Sequence, residues 1–199
     1  MSAILRRLHH DLSNCQRLLA ILDRQIEVMN SEKTPGWDIL HGVFQYFLTY
    51  PDTAHHPIEN LILKRLVSRD PAAGELFMGP EHEHRELSDT LRHIAAVTQR
   101  LVPVVRATYL DLLSTFVAQQ RDHVQREEAG FLPTAKRLPN ARHWEQLESI
   151  APKITDPLSD PADGRFLALQ RYLVAADRVG GAARHSCDIE VHKLQQCFL

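Results

Sequence analysis

The chain has 199 residues, 44% of them hydrophobic and 24% charged, with 23 basic against 25 acidic side chains and a formal charge of −2. That length suits one domain, or a domain plus a tail, and the near-balance of charge excludes the basic footprint of a nucleic-acid binder. Cysteines at 15, 187 and 197 form no CxxC pair and imply no disulfide, while the start MSAILRRLHHDL lacks the apolar run of a signal peptide. No stretch approaches membrane-spanning length, so a soluble cytoplasmic protein without membrane contact is expected.

The first element is announced by Leu5, Leu8, Leu12, Cys15, Leu19, Leu22, Ile26 and Met29, whose steps of three and four predict a bundle-type helix. SEKTPGW ends it, and a second helix is expected over about 38–47. YPDTAHHP then interrupts: Pro57, which cannot donate to the preceding turn, either opens a new helix or kinks a continuous one. Glu59, Ile62 and Leu66 continue the stripe from His55 until Asp70-Pro71 breaks it. A third helix reads His84, Leu87, Leu91, Ile94 and closes at Pro103; a fourth reads Tyr109, Leu113, Phe116, Gln120, His123, Glu127 and is expected to stop near Pro133. Four long helices with short connections and no strand signal predict an all-α, up-down-up-down four-helix bundle over residues 1–137. Residues 138–179 should add a helical extension packed on the bundle, with a short helix at about 144–150 and an amphipathic one at 165–178. Residues 180–199 read as a poorly ordered tail.

Two of these segments carry a histidine and a glutamate four residues apart, His55…Glu59 and His123…Glu127, and a third contributes His84. In an α-helix that spacing puts both side chains on one face. Each pair also lies on its helix's apolar stripe, where a lone charge is costly. Two carboxylates and three imidazoles converging on one core are best explained by a bound cation. Imidazole with carboxylate suits iron, manganese or zinc, and carboxylates are able to bridge two cations in the centre of a bundle.

The fragments Tyr50-Pro51-Asp52…His55-His56-Pro57…Glu59, Glu83-His84…Leu87 and His123…Glu127-Glu128…Phe131-Leu132-Pro133 resemble the hemerythrin-like (HHE cation-binding) family. So do the opening Leu8-His9…Asp11…Asn14 and the later Asp156-Pro157-Leu158, which extends the similarity over roughly residues 1–178. HHPxE together with HxxxEE is a specific signal; either alone would be weak. The resemblance implies a four-helix bundle with a non-haem di-iron site that meets dioxygen, peroxide or nitric oxide. It also implies roles such as oxidative or nitrosative stress response or iron-centre repair, with catalytic turnover left open. Its ligands would be His55, Glu59, His84, His123 and Glu127, with the two glutamates bridging. Two irons are expected, one being the reduced case, and zinc or manganese are the alternatives.

One departure stands out. The family's first helix usually reads L-H-x-D-H-x-N, and this chain has Leu12 where the second histidine would be a ligand. His9 could swing in, Cys15 one turn later is a further option, an exogenous ligand could fill the gap, or the second metal could be weak or absent. A vacancy of this kind leaves an open coordination position in a pocket expected from Leu12, Leu8, Cys15 and Phe116. His56 should point about 100° away from His55 on an ideal helix, so it reads as an additional ligand or a supporting group, as does His9. Glu128 would replace Glu127 if the last helix were rotated.

The remaining histidines read more plainly. His82 with Glu86 is a surface pair, and His41, His93 and His143 are surface or satisfied groups. His185, Cys187, His192 and Cys197 match no common zinc-finger spacing. Against the metalloprotein stands a second class of function, a degenerate, metal-poor bundle acting as a regulatory or partner-binding module. A small diatomic or peroxide ligand is the expected partner, and the chain is expected to be a monomer or homodimer.

Overall fold

The structure, a computed structural model, describes residues 2–69, 71, 80–99, 106–137, 141–159 and 164–182; of the expected tail only 180–182 are among these, as the end of a helix and not as loose chain, while its His/Cys set, Asp70 and Pro103 lie outside. Among the described residues every regular element is helical. Helix α1 (Ala3–Asn30) is capped by the Ser2 hydroxyl, which accepts from the Leu5 amide. It ends at Glu32, whose left-handed φ of 58° lets the Lys33 amide return to the Val28 carbonyl, a Schellman closure without the usual glycine. Its apolar stripe is buried as expected, but Asp11, Asn14 and Gln25 are buried beside it. The covered face is therefore wider than one seam.

The second and fourth rods show why the prolines do not stop them. Helix α2 (Trp37–Tyr50) runs through a π turn (Pro51–His55) into α3 (His56–Val67). Helix α5 (Arg106–Arg126) runs through a second π turn (Glu127–Phe131) into the short α6 (Leu132–Ala135). In each, a proline sits just past the wide turn, Pro57 and Pro133. Proline has no N–H for the carbonyl four residues back and its ring crowds it. Widening the preceding turn relieves both problems, and the amides of His56 and Leu132 then reach back five residues, to Pro51 and Glu127. The fourth rod thus passes through Pro133 and ends at Ala135, close to the expected stop. Helix α4 (Pro80–Gln99) supplies the remaining rod, with Leu87, Leu91 and Ile94 buried.

These rods form a ring of neighbours: α1 packs on α5 and α2, and α4 packs on α5 and α2. Beyond them, α7 (Ala141–Ile150) lies on α1, and a 3-10 turn (Gly164–Phe166) leads to α8 (Leu167–Ala182), which lies on α2. The α2–α8 crossing is tight because Gly42 faces Leu169; a Cβ added at Gly42 would come within 3.1 Å of the Leu169 Cβ. No helix among the described residues is long and apolar enough to cross a membrane. Gly42→Val should therefore force α8 off α2 and cost about 1–3 kcal/mol, read as a lower denaturant midpoint; an unchanged midpoint would mean that this contact does not hold α8.

Candidate metal centre

The two π turns lie at one level of the bundle and carry the chemistry. His55 ends the first and Glu127 begins the second, with Glu59 one turn on in α3, His123 one turn back in α5, and His84 facing them from α4. All five are buried, Glu59 and Glu127 being only 8% and 7% exposed. The donors separate into two groups whose atoms lie within 4.8 Å of one another: His55 with Glu59 and Glu127, and His56 with His84 and His123. Each carboxylate faces both groups. Glu59 has Oε1 3.6 Å from His55 Nε2 and Oε2 3.8 Å from His84 Nε2; Glu127 has Oε2 3.4 Å from His55 Nε2 and Oε1 3.9 Å from His84 Nε2. His123 Nε2 approaches Glu127 Oε1 at 2.6 Å.

Two of these buried atoms, Glu59 Oε2 and His84 Nε2, have no hydrogen-bond partner among the described residues, and Glu127 Oε1, whose near neighbour is His123 Nε2, makes no well-directed hydrogen bond there either. Buried polar atoms are almost always paired, because an unpaired one forfeits its hydration. Three such lone-pair bearers aimed at one another are what a cation between them would satisfy. The donor set therefore fits a metal.

The outer nitrogens of three imidazoles are also committed. Asp11 accepts from His55 Nδ1 (3.2 Å), Asp52 from His56 Nδ1 (3.0 Å), and Glu83 lies 3.4 Å from His123 Nδ1. A carboxylate behind a histidine fixes its tautomer and turns the other nitrogen inward, the arrangement found behind metal-ligating imidazoles. Asp11 is itself held by the Tyr50 hydroxyl (3.0 Å), and Glu83 by Arg126. Behind Asp11, the linker after α7 is pinned along α1: Arg7 donates to the carbonyls of Pro152 (2.5 Å) and Ile154 (2.7 Å), and Asn14 to Asp156 (2.6 Å).

A family model of the hemerythrin HHE cation-binding domain matches residues 2–135. The chain belongs to the hemerythrin HHE cation-binding family. The matched span contains all five donors predicted from HxxxE and His84; the Asp156-Pro157-Leu158 element lies beyond it. No curated protein and no solved structure matches the chain.

Within this hemerythrin-type centre, several expectations are corrected. His56 is not left at the surface: it stacks on His84, with ring centroids 3.5 Å apart and planes 7° apart, and joins the nitrogen group. His9 is half-buried and enters neither donor group. Glu128 turns to α1, where Gln16 donates to it at 3.0 Å. The expected pocket divides in two. Leu12 and Cys15 line one cavity of about 20 Å³ with Tyr46, Tyr50, His55 and Glu127; Phe116 lines another of about 20 Å³ with His56, His84 and Leu87. Leu8 is in neither lining and is packed into the core. Pro51, His56, Gln120 and His123 form the wall between the cavities. His82 and Glu86 are an exposed pair, as read. Sequence reasoning gave no role to Asp11, Asp52, Glu83, Tyr46 or Gln120. The available signal was polarity on an apolar stripe for Asp11, and Asp52 placed one turn ahead of His56.

The metal-free cluster polarises its own protons. Burial raises Glu59 and the Glu127 charge raises it further, whereas Glu127, although burial opposes this, is held well below 4.5 by His123, His55 and His84. Like carboxyls in one site divide in this way, the charge favouring one and the proton the other. Burial lowers His55 and His123, but Glu59 and Asp11 outweigh it for His55, and Glu127 for His123, so both lie above the ordinary 6.5. Burial drives His56 the other way, down to about 4.

These shifts fix a pH dependence. A histidine raised in the folded state contributes stability below its unfolded value of 6.5 and loses it as pH climbs through the folded value. His56, neutral down to about 4, costs stability only below 6.5, and Glu127 adds its share above 4.5. Metal-free protein should therefore lose stability as pH rises above 6.5, by up to about 1.4 kcal/mol per pH unit for each proton released. Metal-loaded protein should gain over the same range, because protons compete with the cation for the same atoms. Denaturant titrations of both forms check this; parallel pH slopes would contradict it.

Proposed function

We propose that this chain is a non-haem metalloprotein that holds two cations, iron in keeping with its family, and binds or processes dioxygen, peroxide or nitric oxide. The observation that carries the reading is the double-facing placement of Glu59 and Glu127, each presenting one oxygen to the His55 side and the other to the His84 side. Carboxylates so placed suit a bridged pair of cations better than one ion, which would need the donors on a single side. The four rods would then run up-down-up-down, residues 1–137 forming the cation-binding unit and 138–179 an extension against it.

In this scheme His55, Glu59 and Glu127 hold one cation, and His84, His123 and His56 the other, with the glutamates shared. Iron bound there supplies a reversible change of oxidation state and a position open to a small ligand. The chain's own groups do the rest. Asp11, Asp52 and Glu83 hold His55, His56 and His123 with their inner nitrogens free of protons. Leu12, which is 2% exposed, occupies the place of a nitrogen donor with an apolar side chain and keeps that side open and dry. Val124 and Phe116 extend the apolar walls on either side of the cluster.

Purification under iron-replete conditions, followed by metal quantification and absorption spectra with azide, tests the reading: about two irons per chain with ligand-to-metal bands are expected. Glu127→Ala should lose most of the metal and Glu128→Ala almost none. Leu12→His should raise affinity by adding a nitrogen beside His55, His56 and His123. Folded protein that takes up no metal, or equal losses from the two glutamate variants, would contradict it.

A further inference from the structure

The cavity on the Leu12 side is lined by a polar group that has no hydrogen-bond partner among the described residues. It is the hydroxyl of Tyr46, a fully buried side chain. The neighbours whose charge it feels are Cys15 first, then Asp156, Asp11 and Tyr50. None of them receives it. Asp11 takes the Tyr50 hydroxyl at 3.0 Å and the His55 ring at 3.2 Å, and Asp156 takes Asn14 at 2.6 Å and the Leu158 amide at 2.9 Å.

The ring itself is fixed. Phe47 and Phe166 meet it edge-on, at centroid separations of 5.8 and 6.5 Å, and Tyr50 leans on it at 5.2 Å. A phenylalanine would fill the same volume without burying an unpaired hydroxyl, so packing gives no reason for the oxygen. What adjoins it is a space of about 20 Å³, bounded by Leu12, Cys15 and Val124 and by the donors His55, His123 and Glu127. That is room for a water-sized guest or the end of a small ligand. Burial pushes Cys15 up to about 12, so the thiol stays neutral and an anion entering there meets no thiolate.

We propose that Tyr46 is the specificity-determining residue for the exogenous ligand, its fixed hydroxyl donating to the outer atom of a diatomic or small anion seated between Leu12, Cys15 and the cation cluster. A pre-oriented donor facing apolar walls recognises a guest by its acceptor atom. It favours guests with a strong acceptor atom, such as azide or peroxide, over guests of similar size that lack one. This inference rests on the two-cation reading above, deepens it, and replaces the purely apolar pocket expected from the sequence.

The test uses the iron-loaded full chain with azide as the probe, comparing wild type with Tyr46→Phe and Tyr109→Phe. Tyr109 serves as the control because its hydroxyl already bonds Thr98 (2.9 Å) and it lies 14 residues before His123 in α5, about 21 Å along the helix axis. Tyr46→Phe should keep its metal content and its stability, while azide affinity falls about tenfold or more; Tyr109→Phe should bind azide as wild type does. In wild type, the infrared stretch of bound azide should shift on transfer from H2O to D2O, a readout that needs no variant. Wild type that takes up no iron overturns both this inference and the reading beneath it. Iron-loaded protein whose azide affinity is untouched by Tyr46→Phe, or whose azide stretch ignores D2O, overturns this inference alone. Loss of iron in Tyr46→Phe also overturns it, since the residue would then be supporting the cluster.

Discussion

Two carboxylates in an apolar core set the terms for everything around them. Taking an ionised carboxylate out of water costs several kcal/mol unless it is paired and hydrogen-bonded. Glu59 and Glu127 are both buried, and each leaves one oxygen without a hydrogen bond. Two features of the chain follow from that cost. Imidazoles from three rods are gathered around the pair. Carboxylates behind His55, His56 and His123 keep those rings aimed inward.

The π turns join sequence to chemistry. Pro57 and Pro133 deprive the preceding turns of a donor, and the backbone answers by widening. The widened turns contain His55 and Glu127, and the first ends just before His56. Both neighbouring rings face the same centre, His56 stacked on His84 and His55 between the two glutamates. His56 thus adds a nitrogen to the group formed by His84 and His123. The apolar side chain at Leu12 meanwhile borders the cavity where Tyr46 waits with an unused hydroxyl.

Much of this was legible in the sequence, for physical reasons that can be named. The stripes on α1, α4 and α5 obey a single 3.6-residue period, so Leu5 to Leu22, Leu87 to Ile94 and Tyr109 to Glu127 could be placed on their buried faces. The four-residue spacing of His and Glu likewise put each pair on one face. Three features were not legible. The stacking of His56 on His84 joins two rods, and spacing along one helix does not encode such a partner. The contacts of Asp11 with His55, Glu83 with His123 and Gln16 with Glu128 join different rods, and sequence spacing does not encode the pairing. Tyr46 carries no sequence signal; only packing reveals that its oxygen has no partner. For the same reason Leu8, predicted in the pocket, is in the core, and Phe116 lines the opposite cavity.

The central claim is that Glu59 and Glu127 are shared between two cations rather than closed on one. Anomalous diffraction at the iron edge from crystals of the iron-loaded chain addresses it most directly. Two peaks about 3.5–4 Å apart, each in contact with an oxygen of both glutamates, are the result the account predicts. A single peak, or two glutamates turned away from any peak, would contradict it.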